Sequence, residues 1–234
     1  MPRRPGSEPP GTSAESLRQR NSVVSALGIK APPLCEGTYV ATDLASSLQI
    51  GYDRFRRRET GDGLCVESRH TAFGTPAPVQ RVEFHLDRDW TPRRLVARSE
   101  AWHSLAVEFG EGETRVRARR GEQEREMILP VGRRKALLFL SGGFSFPVHA
   151  VRRFPRESSG PIRFQMIPEG VCEIRRGPEG PWTADGLRML EMKLAVSGVE
   201  DRLQLLVDTE EELVRFHARN RNLLVRLEGA GPPC

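Results

Sequence analysis

Apolar and polar residues alternate with a period of two along most of the chain after residue 35. In "VEFHL" the apolar residues Val82, Phe84 and Leu86 fall on one side of an extended chain. Glu83 and His85 fall on the other side. The stretches "LQIGYDRF", "HSLAVEF", "IRFQMI", "LEMKLAV" and "LVRFHA" repeat the pattern. Because successive side chains of a strand point to opposite faces, the pattern predicts half-buried antiparallel strands.

Short clusters of turn residues separate these stretches. Glycine, aspartate or proline is concentrated in "TGDG" (60–63), "DRDWTP" (87–92), "GEGE" (110–113) and "RRGPEGP" (175–181). The spacing predicts an all-β protein with a single curved antiparallel sheet, a half-barrel or open barrel of about eleven or twelve strands, with little helix. No strand–helix–strand unit of about 30 residues is recognisable, so a parallel sheet is not expected.

The turn "DRDWTP" leads to a more specific prediction. Its aspartates favour a tight turn, and its proline limits the start of the next strand. We therefore expect Val82–Leu86 and Leu95–Arg98 to be antiparallel neighbours in the sheet. Trp90 should pack against the protein, and its ring should not point into solvent.

Composition divides the chain into three parts. Residues 1–34 begin with "MPRRPGSEPPGTSAES" and are rich in proline, glycine, serine and arginine. Such a segment cannot bury enough apolar surface to offset the entropy of ordering, so it is predicted to be a disordered tail. Residues 35–229 are predicted to form the half-barrel domain, and residues 230–234 a flexible C-terminus.

The formal net charge of +5 is concentrated in the predicted tail. Five of the 36 Lys and Arg residues and two of the 31 Asp and Glu residues lie in residues 1–34, so the remainder carries 31 positive and 29 negative side chains. The arginine runs "RFRRRE" (54–59) and "RVRARRGE" (115–122) have few aromatic neighbours on which bases could stack. They are interpreted as solvated strand faces, and nucleic acid is not an expected partner.

Cysteine usage and hydropathy narrow the cellular setting. The four cysteines are far apart and form no C-x-x-C pair, so neither a zinc site nor a disulfide framework is expected. No stretch approaches the roughly 20 apolar residues of a membrane span, and "SVVSALGIKA" is a poor match to a signal peptide. A reducing, cytoplasmic location is therefore expected. Without a Walker loop or a G-x-G-x-x-G motif, no cofactor is predicted.

No motif singles out a catalytic or metal-binding site. The five histidines lie on separate predicted strands or loops, without an H-x-H or H-E-x-x-H pair. A G-x-S-x-G elbow does not occur, and no spacing selects a pair of carboxylates for acid–base chemistry. We therefore predict no catalytic residues and no metal ligands.

The stretch "LSGGFSFPVHAVRRFP" (140–155) differs from its charged surroundings. Its first twelve residues carry no charge, and Arg152 and Arg153 follow them. A neutral segment between charged strands needs an apolar surface to contact, so we expect it to line or cover the concave face, with Phe144 or Phe146 pointing inward. One of the arginines should stand hydrated at the rim, where a guanidinium matches a carboxylate or phosphate. The alternative is a structural plug.

Two regions resemble a known family. "RVEFHLDRDWTPRRLVARSEAW" and the Phe/Pro segment ending in "VRRF" are similar to the glycolipid-binding family of bacterial proteins. The residues that match are Asp87, Asp89, Trp90, Arg93, Arg94, Phe144, Phe146, Pro147, Arg152 and Arg153. The fold of that family is similar to the lipoprotein-localisation factors of bacteria. The resemblance implies a curved half-barrel over a cavity of lipid size.

These observations lead to one functional hypothesis and two alternatives. The hypothesis is non-catalytic binding of an amphipathic or lipid-like small molecule in the concave face. The predicted ligand-binding residues are Phe144, Phe146, Arg152, Arg153, Trp90 and Trp102. The alternatives are an enzyme acting on a hydrophobic metabolite in the same cavity, and a nucleic-acid or protein interaction module that uses basic residues.

Overall fold

The fold was obtained as a computed structural model, which describes residues 36–74, 79–99, 104–138, 146–155, 158, 160–167, 170–177 and 186–229. The strands are β1 (Glu36–Asp43), β2 (Leu48–Thr60), β3 (Gly63–Ala72), β4 (Val79–Leu86), β5 (Pro92–Ser99), β6 (Ser104–Phe109), β7 (Thr114–Arg120), β8 (Gln123–Leu129), β9 (Ala136–Leu138), β10 (Ile162–Ile167), β11 (Val171–Arg176), β12 (Arg188–Val196), β13 (Val199–Val207), β14 (Leu213–Ala218) and β15 (Leu223–Glu228). Helix α1 spans Phe146–Arg153, and a short 3-10 helix spans Arg219–Arg221. The predicted tail and C-terminus, residues 1–34 and 230–234, lie outside the described residues.

All of these strands belong to one open, curved sheet, as predicted for an all-β protein. Its order is β8-β7-β6-β5-β4-β3-β2-β1-β15-β14-β13-β12-β11-β10-β9, so two meanders meet where β1 pairs with β15. The prediction of eleven or twelve strands is wrong, because the described residues contain fifteen. Strand β8 is exposed at almost every position, and β3 begins with four consecutive buried residues, so neither shows the alternation that identifies a half-buried strand.

Among the described strands, β9 and β10 form a parallel pair, which was not expected from the sequence. Residues Ala136–Leu138 of β9 pair in parallel with Gln165–Ile167 of β10, and α1 lies in the connection between them. The unit is hard to recognise because β9 has three residues and α1 has eight. Pro147 is tolerated because it lies in the first turn of α1, where the backbone N–H has no partner inside the helix. In the described part of the chain, no helix has the length and apolarity needed to cross a bilayer.

The hydrophobic core covers one side of the sheet, called here the inner face. On β12, for example, Leu190, Met192 and Leu194 are buried while the residues between them are partly exposed. Helix α1 packs on the same face, and its Val148 and Val151 are at most 2% exposed. The part of the neutral segment that the structure describes therefore covers the inner face, as expected.

The turn between β4 and β5 has the predicted arrangement. Val82 pairs with Ala97 across the two strands, which are antiparallel neighbours. In the turn, the Asp87 N–H donates to the Thr91 carbonyl (2.9 Å), and the Trp90 N–H donates to the Asp87 carbonyl (3.0 Å). Trp90 adopts a positive φ of 65° and is only 7% exposed. This conformation is uncommon for a bulky side chain, and here it accompanies a ring that packs into the protein.

Candidate functional site

A cleft of about 880 Å³ opens where the β2–β3 and β4–β5 turns approach the C-terminal end of α1. Its apolar and aromatic lining consists of Leu64, Trp90, Phe154, Pro155, Ile162 and Phe164. Four arginines also line it: Arg88, Arg134, Arg152 and Arg153. Three carboxylates, from Glu59, Asp89 and Glu211, complete the charged lining. The cleft therefore combines an apolar wall with an excess of one positive charge.

A buried ion cluster of Arg57, Arg152 and Glu212 lies beside the cleft. The Arg57 Nη1 donates to Glu212 Oε1 at 2.5 Å, and the Arg152 Nη2 donates to the same oxygen. All three side chains are at most 5% exposed. Arg152 Nη1 also donates to the Glu210 carbonyl at 2.7 Å. The cluster thus joins β2, α1 and the β13–β14 turn through one carboxylate.

The Trp90 ring covers this ion cluster on the side of the cleft. The guanidinium carbons of Arg57 and Arg152 each lie 5.2 Å from the ring centroid, and Arg57 also lies 4.5 Å from the Phe55 ring. Guanidinium groups at such distances are attracted to the negative face of an aromatic ring. The tryptophan is therefore held in place by two cations that are themselves fixed by Glu212.

The β13–β14 turn that supplies Glu212 has the same hydrogen bonds as the β4–β5 turn that supplies Trp90. The Asp208 N–H donates to the Glu212 carbonyl (3.0 Å), and the Glu211 N–H donates to the Asp208 carbonyl (3.1 Å). Glu211 has a positive φ of 65°, as Trp90 has. Burial raises the pKa of Asp208 to about 6. The backbone N–H groups of Glu210 and Glu212, which donate to its carboxylate, act in the opposite direction. Two equivalent turns, one from each half of the sheet, therefore build the site.

Tyr39 of β1 fixes the start of β14 beside the cluster. Its hydroxyl is buried and donates to the Leu213 carbonyl at 3.1 Å. Burial raises the pKa of this phenol far above its ordinary value, and the nearby charge of Glu212 adds to the shift. The hydroxyl therefore stays protonated and acts as a hydrogen-bond donor.

His149 of α1 packs among aromatic rings. Its imidazole centroid lies 4.6 Å from that of Phe84 in an edge-to-face arrangement, and 5.9 Å from the Trp90 ring. Burial, together with the positive charges of Arg57 and Arg153, lowers the pKa of His149 to about 3. The buried Nδ1 has no hydrogen-bond partner among the described residues. The ring is therefore neutral at pH 7.

Arg153 holds the end of α1 to the segment before β9. Its Nη1 donates to the Ala136 carbonyl at 2.6 Å, and its Nη2 donates to the Arg134 carbonyl. Burial lowers the pKa of Arg153 to about 10, which the charge of Asp89 partly offsets. Within the described ranges no carboxylate is at ion-pair distance from this guanidinium. An anion entering the cleft would therefore stabilise a cation that makes no ion pair with the described carboxylates.

The structure brings together three of the six residues predicted to bind a ligand. Trp90, Arg152 and Arg153 all line the cleft. Phe146 is the first residue of α1, whereas Phe144 and Trp102 lie outside the described residues. The expectation of a hydrated arginine at the rim is wrong for Arg152, which is buried against Glu212. Its partner is 60 residues away in sequence, so no local pattern could reveal it.

Sequence reasoning missed Arg57, Glu212 and Tyr39. The run "RFRRRE" was interpreted as a solvated face, yet Arg57 alternates with exposed Arg56 and Arg58 and points to the inner face. The period-two alternation that places Phe55 inside also places Arg57 inside, so a signal was present. Nothing in the sequence distinguishes Glu212 from its neighbours in the turn "DTEEE", because acidic residues are common in turns.

One group of potential metal ligands lies on the opposite, outer face. The ligand atoms of Cys65, Glu83 and His85 all lie within 4.8 Å of one another. However, the Arg58 Nη2 donates to Cys65 Sγ at 3.8 Å, and burial raises the pKa of this thiol. A protonated thiol beside a cation is unfavourable for metal binding, since the thiolate is the ligand.

Comparison with known proteins establishes similarity of fold alone. No protein-family model matches the chain, and no curated protein matches it. Among solved structures, the chain is similar to the crystal structure of a β-barrel-like protein of a domain of unknown function, DUF1849, from Brucella abortus. The TM-score is 0.52 at 8% identity, and the similarity covers 85% of this chain and 96% of that one. The chain therefore has a β-barrel-like fold.

Proposed function

We propose that the protein binds an amphipathic anion in the cleft. The apolar part of such a ligand would lie against Leu64, Ile162 and Phe164, and its acid group would approach Arg88 and Arg134. These two arginines lie in the lining and, unlike Arg152, make no ion pair with a carboxylate among the described residues. The proposal is for binding without catalysis.

The observation that carries the proposal is the combination of four arginines with an apolar wall in a single cleft of about 880 Å³. Small-molecule sites typically have volumes of roughly 300–1,000 Å³, with mostly apolar walls and a few polar groups that fix orientation. Guanidinium groups match carboxylates and phosphates through paired hydrogen bonds. The guanidinium of Arg153, which makes no ion pair with a carboxylate among the described residues, adds a reason for the ligand to be an anion.

A glycolipid is a more specific candidate for this ligand, and the sequence resemblance supports it. The exposed carboxylates of Glu59 and Asp89 line the cleft and can accept hydrogen bonds from sugar hydroxyls. The buried thiols of Cys65 and Cys172 are free, which supports a reducing compartment such as the cytoplasm.

Calorimetric titration of the full chain with dodecyl phosphate and with dodecanol tests the proposal. We expect dodecyl phosphate to bind and dodecanol to bind at least about tenfold more weakly, because only the former pairs with guanidinium. The double variant Arg88→Gln/Arg134→Gln should weaken binding of dodecyl phosphate by a similar factor. Equal affinity of this variant and the wild type would overturn the assignment of the cleft.

Two further variants sharpen this experiment. Arg125→Gln removes an exposed arginine from edge strand β8, which contributes no residue to the cleft lining, and should leave the affinity unchanged. Ile162→Ser should weaken both ligands, because it removes apolar surface from the wall. Arg152 and Arg153 are unsuitable probes, because both hold the fold together through the bonds described above. We expect the Arg152→Ala/Arg153→Ala variant to lose stability.

A further inference from the structure

A row of four arginines crosses the outer face of the sheet, on the side opposite to the core. Arg54 of β2 is directly opposite Arg69 of β3, which is opposite Arg81 of β4, which is opposite Arg98 of β5. All four side chains are exposed. Because adjacent strands lie about 4.8 Å apart, this arginine row spans roughly 14 Å.

The arginine row is the longest run of directly opposite cations among the described strands. Many other arginines are opposite glutamates on the next strand, as in the pairs Arg94–Glu108, Arg117–Glu126, Arg163–Glu173 and Arg175–Glu191. The pairs Arg215–Arg226 and Lys193–Arg202 are also like-charged, but each is isolated. Like charges directly opposite each other destabilise an antiparallel pair, whereas opposite charges stabilise it. Three consecutive arginine–arginine pairs are therefore unfavourable for folding and need another explanation.

The positive charge of the row is not neutralised by nearby carboxylates. All four arginines line one groove of about 540 Å³, together with Arg56 and the carboxylates of Glu36, Glu67 and Glu83, so five arginines share the groove with three glutamates. Glu67 pairs with Arg58 at 2.9 Å, and Glu83 contacts His85 at 2.7 Å. In the part of the chain that the structure describes, no member of the row makes an ion pair. The groove therefore presents a local positive field to solvent, although the domain as a whole is nearly neutral.

An exposed apolar patch adjoins the arginine row at one end of β2. Eight large hydrophobic side chains are exposed among the described residues, and half of them belong to this patch: Leu44, Leu48, Ile50 and Phe73. Leu48 is 64% exposed and Phe73 is 49% exposed. Residues 48–50 begin β2, so the patch lies about 13–20 Å along the strand from Arg54.

Aromatic contacts connect the patch to the row. The Arg54 guanidinium lies 5.2 Å from the centroid of the Tyr52 ring. The Tyr52 ring in turn lies 5.9 Å from the Phe73 ring, in an edge-to-face arrangement. Apolar, aromatic and cationic side chains therefore follow one another continuously over the surface of β2 and β3.

We infer that this surface docks the protein on an anionic lipid bilayer. Arginines bind lipid phosphates, while exposed aliphatic and aromatic side chains insert at the boundary between headgroups and acyl chains. Nucleic acid would use the arginine row but would gain little from Leu44, Leu48 and Ile50, since bases stack on aromatic rings. The inference is independent of the cleft, because the two sites lie on opposite faces of the sheet.

Co-sedimentation of the full chain with lipid vesicles tests the inference. We expect binding to phosphatidylcholine vesicles that contain phosphatidylglycerol, and little binding to phosphatidylcholine alone. Each arginine near an anionic surface increases partitioning about fivefold. The quadruple variant Arg54→Gln/Arg69→Gln/Arg81→Gln/Arg98→Gln should therefore bind the anionic vesicles at least about 100-fold more weakly. Its thermal melt should show that the fold is retained, because these side chains are exposed.

A matched variant controls for the loss of four charges. Arg115→Gln/Arg117→Gln/Arg163→Gln/Arg175→Gln removes the same charge from exposed arginines that have glutamate partners. It should bind the anionic vesicles within about threefold of the wild type, since its arginines are already paired. If both quadruple variants lose binding equally, net charge alone drives the association and the arginine row is not a site.

The apolar patch gives the second arm of the test. Leu48→Ser/Phe73→Ser should weaken binding to anionic vesicles about tenfold or more, while leaving binding to heparin, a soluble polyanion, unchanged. The inference is overturned if the arginine quadruple variant still binds vesicles as the wild type does. It is also overturned if the wild type does not bind vesicles but binds a single-stranded oligonucleotide through the arginine row.

Discussion

Strand β2 carries arginines to both faces of the sheet, and the two groups have opposite surroundings. Arg57 points to the inner face, is 3% exposed and shares the carboxylate of Glu212 with Arg152. Arg54, three residues earlier, points to solvent and belongs to a row of arginines that makes no ion pair within the described ranges. On the inner face of β2 an arginine side chain is paired with a carboxylate, whereas on the outer face arginine side chains lie next to one another.

The difference follows from the cost of burying a charge. A buried guanidinium needs polar partners, either a counter-ion or hydrogen-bond acceptors, because leaving it alone costs several kcal/mol. An exposed guanidinium is solvated, so water and salt reduce the repulsion within the row. The inner arginines are therefore bound to partners within the fold, whereas the exposed arginines of the row remain available for a ligand.

The largest effect should come from removing the shared counter-ion. Glu212→Ala removes the carboxylate that the buried guanidinium groups of Arg57 and Arg152 share, and breaking a buried ion pair in this way typically costs about 3–5 kcal/mol. For a domain of this size the midpoint of thermal unfolding should fall by roughly 6–20 °C. Calorimetry or circular dichroism would measure the change.

The matched control is Glu67→Ala, which removes the partner of Arg58 on the outer face. That pair is about half exposed on both sides, so its loss should cost less than about 1 kcal/mol. Equal destabilisation by the two variants would show that burial does not distinguish the inner arginines from the outer ones.

The sequence was sufficient to predict the class of fold, because strands with one face in the core alternate in a regular way. Val82–Leu86 and Leu95–Arg98 pair as expected, and Trp90 is packed. The sequence was insufficient where that premise fails: β8 is exposed on both faces, and β9 has only three residues. Alternation of apolar and polar residues identifies strands that are buried on one face only. Strands without this alternation are not recognised from the sequence.

The candidate site was predictable only in part, for a related reason. Arg152 and Arg153 were identified because a neutral segment precedes them, and Trp90 because its turn was recognised. Glu212 became important only through contacts with residues 60 and 155 positions away. The arginine row likewise could not be recognised in the sequence, because its members come from four strands. They become neighbours only through the register in which these strands pair.

An intermediate effect is expected at His149, where the inner arginines act on a titratable group. Its pKa in the folded protein is about 3, below the value of about 6.5 expected in the unfolded chain. The unfolded state therefore binds the proton more readily, and stability is lost as the pH falls below about 6.5. At pH 5 this loss should amount to about 2 kcal/mol.

His149→Leu isolates this contribution, because it keeps an apolar side chain of similar volume. Chemical denaturation should give the variant and the wild type similar stability at pH 7.5, with the variant about 2 kcal/mol more stable at pH 5. Asp208, whose pKa is raised to about 6, and His70, whose pKa is lowered to about 4, titrate in both proteins and cancel in the difference. A difference in stability that is the same at both pH values would contradict the assigned pKa.

The smallest effect concerns the arginine row itself. Arg81→Glu places a carboxylate between Arg69 and Arg98, so two like-charge pairs become opposite-charge pairs. We expect the free energy of unfolding to rise by roughly 0.2–1 kcal/mol at low salt, and the gain to shrink as salt screens the charges. Arg117→Glu is the mirror-image control, because it places a carboxylate opposite Glu126 and should destabilise by a similar amount. If Arg81→Glu instead destabilises the protein at low salt, the row contributes to folding, and the contrast between the two faces of β2 fails.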